Sequence, residues 1–177
     1  MKTLIVYESL YGNTHAVATR IGEGLAARGE VRAVPVHDAT ADLVEWADLV
    51  LVGGPTHAHG LTSSSSRKGA RAAAAKPDSG LHLDPDAAGP GLRDWFKGLQ
   101  KVQGKQAVAF DTRLDAAAAL TGRASHGIQR RLRSHGFAIL AEPGSFLVDK
   151  HNQLLAGEED RATDWAGRLA DVLSACA

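Results

Sequence analysis

The chain has 177 residues, 44% of them hydrophobic, and its 20 Lys plus Arg are matched by 20 Asp plus Glu. That length fits one folded unit spanning 1–177 with its own core. Zero net charge leaves no basic footprint for nucleic acid or an anionic membrane, which argues against both as partners. No apolar run approaches the roughly 18 residues a membrane span needs. The stretch Leu4–Tyr7 is too short for a secretory leader, so the expected location is cytoplasmic. The one cysteine, Cys176, has no partner for a disulfide or a metal site, and a chain end gives a thiol no rigid setting.

In chain order, Leu4–Tyr7 is a short apolar run rich in β-branched residues and reads as a buried parallel strand. From Thr14 to Arg28 the period changes, with Val17, Ile21 and Leu25 four apart, which predicts an amphipathic helix closed by Gly29. Val31–Val36 is a second strand, and Pro35, lacking a backbone donor, places it at a sheet edge. A short helix over Ala41–Ala47 precedes the buried run Leu49–Val52, which stops at Gly53-Gly54-Pro55. Leu61 to Pro90 reads as an insertion or long loop: four serines, Ser63 to Ser66, then Arg67, Lys68, Arg71 and Lys76, then several Pro and Gly. Within it Ala70–Ala75 has the composition of a short helix, and the basic run reads as a solvated face or a dock for an acidic partner. Leu92–Leu99 predicts a helix, Ala107–Phe110 a strand and Gly127–Ser134 a helix. Phe137–Leu140 is a fifth strand, resumed at Phe146–Val148, and the last helix runs from about Glu158 to Leu173.

Alternating strands and helices imply an α/β fold, a three-layer α/β/α sandwich on a five-stranded parallel sheet. Right-handed crossovers and an edge second strand favour the order 2-1-3-4-5. Ligands of such sheets bind outside the carboxyl ends of the strands, where the order reverses. The loops after Tyr7 and Val52 are therefore the ones to read.

The first loop is Glu8-Ser9-Leu10-Tyr11-Gly12-Asn13-Thr14 and opens directly into a helix. A helix N-terminus supplies unpaired amides and partial positive charge for a phosphate. Ser9, Tyr11, Asn13 and Thr14 add neutral donors, and Gly12 lets the backbone curl in. With no Lys and the wrong glycine spacing, it is neither a nucleotide-triphosphate loop nor a dinucleotide fingerprint. The second loop is Gly53-Gly54-Pro55-Thr56-His57-Ala58-His59-Gly60. His57 and His59 are alternate residues and would point opposite ways if extended. No third ligand stands beside them for a metal site. The third follows Phe110 as Asp111-Thr112-Arg113, where the acid and base either border a ligand or pair with each other.

The run Val6 to Thr14, with Ser9, Gly12 and Thr14 at matching spacing, resembles the FMN phosphate loop of the flavodoxin family. The resemblance extends over the order of elements and is weakest across 61–90. It implies that Ser9, Leu10, Tyr11, Gly12, Asn13 and Thr14 hold the FMN phosphate. It also implies that Pro55, Thr56, His57, Ala58, His59 and Gly60 run beside the ring, and that Phe110, Asp111, Thr112 and Arg113 cover its pyrimidine end. Gly60 or the Ala58–His59 peptide would meet the ring nitrogen that gains a proton on reduction. The chain differs from well-known flavodoxins in being neutral rather than acidic. Trp46, Trp95 and Trp165 fall in predicted helices with core roles, and the serine-rich basic segment is extra.

The leading expectation is an FMN-binding redox protein, working by electron transfer or as a small flavin-dependent reductase. The flavin would supply the chemistry and the protein its position and electrostatics. His57 and His59 near a reduced flavin would make it less strongly reducing. Partners would be a redox protein or a small acceptor such as a quinone. Alternatives are a quinone- or porphyrinogen-type oxidoreductase and a cofactor-free binding module on the same fold.

Overall fold

The computed structural model describes residues 1–57 and 59–175, so Ala58 and Cys176 lie outside the described residues. In chain order the elements are β1 (Lys2–Tyr7), α1 (Asn13–Leu25), β2 (Glu30–Pro35), α2 (Ala41–Trp46), β3 (Leu49–His57), β4 (Gly60–Leu61) and α3 (Ser64–Ala74). They continue as α4 (Leu92–Gly98), β5 (Gln106–Leu114), α5 (Ala118–Thr121), α6 (Ala124–Ser134), β6 (Ala138–Ile139), β7 (Gly144–Val148) and α7 (Glu158–Ala175).

The sheet order is β2-β1-β3-β5-β6, parallel throughout this path, with β7 also paired to β5. The expected 2-1-3-4-5 arrangement is thus present, and its fifth position is shared by two segments. β6 pairs with Gln106 and Ala107, β7 with Phe110 to Leu114. Between them Pro143 brings a residue without an amide hydrogen, which cannot donate to a ladder. β2 forms the edge that Pro35 required.

Side chains alternate across β1, β3 and β5 with the period of two that strands impose. Leu4, Val6, Val50, Val52, Ala107 and Ala109 face a core closed by Val44, Leu92, Phe96, Ile128 and Leu132 from α2, α4 and α6. Ile5, Tyr7, Leu49, Leu51, Val108 and Phe110 face the other, closed by Val17, Ile21, Ala162, Ala166 and Leu169 from α1 and α7. Burying a Leu or Ile of this kind stabilises by about 2 kcal/mol. Gly24 lets α7 approach α1: a Cβ there would lie 2.5 Å from the Thr163 carbonyl oxygen and 2.8 Å from the Ala166 Cβ. Trp95 and Trp46 pack against the first core and Trp165 against the second, as expected of helical tryptophans. The Trp95 indole N–H donates to the Ala39 carbonyl at 2.8 Å.

Three sequence expectations need correction. Gly53 to His57 is strand, because the ladder continues past Val52 as Gly53–Phe110, Gly54–Asp111 and Pro55–Thr112 pairs. Asp111 to Arg113 is likewise strand, held on its other side by β7. The serine run is helix: Ser63 caps α3, its Oγ accepting from Ser66 N while Ser66 Oγ accepts from Ser63 N, a reciprocal box that outweighs serine's weak propensity. Among the described residues no helix is long and apolar enough to cross a membrane.

Candidate functional site

The turn after β1 is shaped by its own residues. Gly12 takes φ +91°, and its amide donates to Ser9 Oγ at 3.1 Å. The first bond of α1 runs from Ala16 N to the Gly12 carbonyl. The amides of Leu10, Tyr11, Asn13 and Thr14 meet no acceptor among the described residues, as expected of a helix start. They border a recess of about 70 Å³ lined by Ser9, Leu10, Tyr11, Asn13, Thr14, Pro55, Thr56, His57, Thr112 and Asn152. No carboxylate and no cationic Lys or Arg lines it, so its charge preference comes from the helix end. Thr14 and Thr112, both buried, share a hydrogen bond of 2.8 Å between their Oγ1 atoms, which ties the turn to β5.

The structure thus brings Ser9, Leu10, Tyr11, Asn13 and Thr14 together with Pro55, Thr56, His57 and Thr112 around one space, while Gly12 shapes the turn without lining it. Asn152 closes it, with its carbonyl accepting from Asn13 Nδ2 at 2.9 Å. Asn152 sits at φ +62° in a turn before α7, and no local pattern marks the return of this turn to the first loop. His57 and His59 do not alternate along an extended strand. β4 folds back on β3 with His57 opposite Gly60, and His59 takes φ +70° and bridges to Gly122. Both histidines are exposed. Leu114, at the end of β5, and Leu120, in α5, are 45% and 71% exposed.

Asp111 is fully buried and does not pair with Arg113. Its Oδ1 accepts from Ser145 Oγ at 2.6 Å, and Ser145 Oγ in turn accepts from Arg113 Nε at 2.9 Å. Its Oδ2 accepts from Ser125 N at 2.8 Å and from Thr56 Oγ1 at 3.2 Å, while Thr56 Oγ1 accepts from Ala124 N at 2.8 Å. The first amides of α6 are therefore capped by two side chains from neighbouring strands, and the carboxylate sits at the positive end of that helix. Phe110 is buried in the core beneath this cap.

The segment between β4 and α4 is anchored by a second buried acid. Glu8 accepts from Leu92 N at 2.8 Å and from Thr62 Oγ1. Arg67, which the sequence placed on a basic run, is buried, and bonds Asp94 at 2.9 Å with Glu8 4.0 Å away. The Gly91 amide and the Arg67 guanidinium hold the Asp94 carboxyl below its ordinary value. Arg71 donates to the Ala87 carbonyl at 2.9 Å, and Tyr11 Oη to the Ala70 carbonyl at 3.1 Å. Burial pushes the Tyr11 phenol up, so it stays a donor. Glu8 lies within the first loop, yet nothing local showed it reaching across to residues 62 and 92.

A doubly wound sheet with an uncharged, amide-lined anion seat at its switch point defines a class of phosphate-holding α/β proteins, of which flavodoxins are themselves an instance. The sequence profile of the flavodoxin family matches residues 5–100, more than half of the chain, and the protein belongs to that family. No curated protein matches it. Among solved structures it is similar to a flavodoxin from the domain Archaea: 19% identity, 98% of this chain and 99% of that one covered, TM-score 0.66. It is similar also to oxidised flavodoxin 1 of Bacillus cereus, at 17% identity, 97% and 98% coverage and a TM-score of 0.65. The rubredoxin oxygen:oxidoreductase of Desulfovibrio gigas aligns at 21% identity over 98% of this chain and 36% of its own, with a TM-score of 0.62. At these identities the likeness establishes the fold. Proteins of the family bind FMN, and the chain is a flavin-binding redox protein. The seat fits that cofactor's phosphate, because it offers unpartnered amides and hydroxyls and no repelling carboxylate.

Proposed function

We propose that the protein is an electron carrier working through FMN, as a single domain in the cytoplasm. The observation that carries this is the set of unpartnered amides of Leu10, Tyr11, Asn13 and Thr14 around the recess beside Thr56 and Thr112. When bound, FMN supplies the electron chemistry. The chain's residues do the rest. The turn from Ser9 to Thr14 binds the phosphate through main-chain donors, and the Ser9 and Thr14 hydroxyls add further donors. Pro55, Thr56, His57, His59 and Gly60 border the ring, and the strand from Phe110 to Arg113 orients its pyrimidine end. Asp111 acts by holding Thr56 and the start of α6 in place rather than by touching the ligand.

Carriage by a partner protein is favoured over a sealed reductase pocket by the exposure of Leu114, at the carboxyl end of β5, and of Leu120 in α5, two apolar side chains free for docking. The test is a flavin titration of the purified chain. FMN is expected to bind at least ~100-fold more tightly than riboflavin, which lacks the phosphate. Equal affinity for the two, or none for either, overturns the reading. In steady state, flavin reduction is expected to need a separate reductase. Direct oxidation of a nicotinamide cofactor with a quinone present would instead make the protein an enzyme.

A further inference from the structure

On the outer side of the phosphate loop, away from the recess, three metal-ligating side chains converge. His15 Nδ1 lies 3.3 Å from Asp84 Oδ2 and 3.6 Å from Asp86 Oδ2, and all three atoms fall within 4.8 Å of one another. The partners come from distant parts of the chain. His15 is in the first turn of α1, and the aspartates flank Pro85 in a 3₁₀ turn over Pro85–Ala87. That turn is held to the phosphate loop by the bond from Asp84 N to the Leu10 carbonyl, 2.9 Å.

A plain imidazole–carboxylate hydrogen bond accounts poorly for this arrangement. Nδ1 carries at most one hydrogen, yet two carboxylate oxygens face it: it makes a long hydrogen bond of 3.3 Å to Asp84 Oδ2 and leaves Asp86 Oδ2 at 3.6 Å without one. The two spacings from Nδ1, 3.3 and 3.6 Å, are close to those of a coordination sphere. An ion with bonds of about 2.0–2.1 Å to N and O sets tetrahedral ligand atoms about 3.3–3.4 Å apart. Asp84 adds an independent observation. Its side chain is 1% exposed, and its one ion-pair partner among the described residues is His15, a cation only if protonated. Among the described residues no Lys or Arg comes within ion-pair distance of either aspartate. The buried Asp84 carboxylate thus has its charge met only by a half-exposed imidazole, and a cation shared between the two would compensate it more fully.

The outer contacts are those of ligands held in position. Asp84 Oδ1 accepts from Asp86 N at 2.8 Å. Asp86 Oδ2 accepts from Tyr7 Oη at 2.8 Å, and the Tyr7 ring stacks on the His15 imidazole at 4.6 Å between centroids. Burial first, then the hydrogen bond to Asp86 and the charges of Asp86, Asp84 and Asp38, push the Tyr7 phenol up, so it remains a donor. The His15 side chain is 41% exposed, which leaves an entry path and open coordination positions.

We propose that His15 Nδ1, Asp84 Oδ2 and Asp86 Oδ2 hold one divalent transition ion of the zinc class, stapling the 84–86 turn to the start of α1. One imidazole with two carboxylates suits such an ion better than calcium or magnesium, which take oxygen ligands. His15, Asp84 and Asp86 do not line the FMN recess, so the site stands whether or not FMN binds there.

The test is calorimetric titration of the chelator-treated full chain with Zn²⁺ at neutral pH, without FMN, paralleled by the visible spectrum of the Co²⁺ form. One equivalent is expected to bind, with the intense visible bands of tetrahedral Co²⁺. His15→Ala and Asp86→Ala are each expected to weaken binding by roughly 100-fold. His126→Ala, at an exposed position on α6, is expected to leave it unchanged. Thermal unfolding without metal checks that the variants are folded, and if Asp86→Ala is not, Asp86→Asn replaces it. No binding to the parent chain at millimolar Zn²⁺, or binding undiminished in either folded variant, overturns the proposal.

Discussion

The loop from Ser9 to Thr14 and the segment from 61 to 91 frame the same end of the sheet, yet they are built by opposite means. The loop is shaped within six residues: Ser9 Oγ accepts from Gly12 N, Gly12 turns through φ +91°, and α1 begins. The segment is shaped from far away. Glu8 receives Thr62 and Leu92, Arg67 reaches Asp94, and Tyr11 reaches Ala70. One region spends its polar groups on a ligand, leaving amides free. The other spends them on itself, around a buried acid and a buried base. The loop should therefore respond to substitution mainly in flavin affinity, and the segment mainly in stability.

The largest expected effect falls on the segment. Glu8→Ala leaves the Leu92 amide and the Thr62 hydroxyl without their acceptor and the buried Arg67 with Asp94 as its remaining carboxylate, and is expected to cost about 2–4 kcal/mol in urea unfolding. Proteolysis should then cut first between 61 and 91. A loss under about 1 kcal/mol would mean that the segment holds without its buried acid, and the contrast would collapse. Next comes the loop. Gly12→Ala puts a Cβ on a left-handed residue, 3.9 Å from Asp84 Oδ2 and so at ordinary contact distance, which leaves backbone strain as the main effect. The expected cost is about 1–2 kcal/mol of stability, with FMN affinity falling about tenfold as the amides move. A variant that keeps its FMN affinity would show that the turn does not hold the phosphate.

The smallest effect sharpens the comparison by pH. Asp94 titrates below its ordinary value, near 3.8, because of the Gly91 amide and then Arg67. Its folded form favours the charged carboxylate. The stabilisation is therefore present above the ordinary value and is lost as pH falls through the depressed one. Since the side chain is 44% exposed and screened, about 0.5 kcal/mol or less is expected. Asp94→Asn should remove that acid limb from the pH–stability curve while leaving flavin affinity unchanged.

Much of the architecture was legible because strands and helices write their periods locally. Leu4–Tyr7 and Leu49–Val52 announced buried strands, and Val17, Ile21 and Leu25 announced one face of α1. The seat was legible for the same reason: Ser9, Gly12 and Thr14 lie on one turn, and their spacing is their geometry. The extension of β3 to His57 was hidden, because Gly53, Gly54 and Pro55 read as a turn and only the Phe110–Thr112 ladder beside them makes them strand. Arg67 read as a surface charge because burial depends on Glu8 and Asp94, 59 and 27 residues away. The histidine that meets Asp84 and Asp86 was the unremarked His15, not His57 or His59.

What the sequence determined by itself was the alternation of elements, the two-sided core and the anion-seeking turn after β1, since each depends on residues a few positions apart. What the tertiary structure alone decided was which polar groups meet: Asp111 with Ser125 and Ser145, Asn13 with Asn152, Glu8 with Thr62, His15 with Asp84 and Asp86. The reason is physical. Hydrophobic burial is non-directional and tolerates many partners, so a pattern suffices to encode it. A buried hydrogen bond or ion pair needs one particular partner at one distance, and only the folded backbone sets that distance.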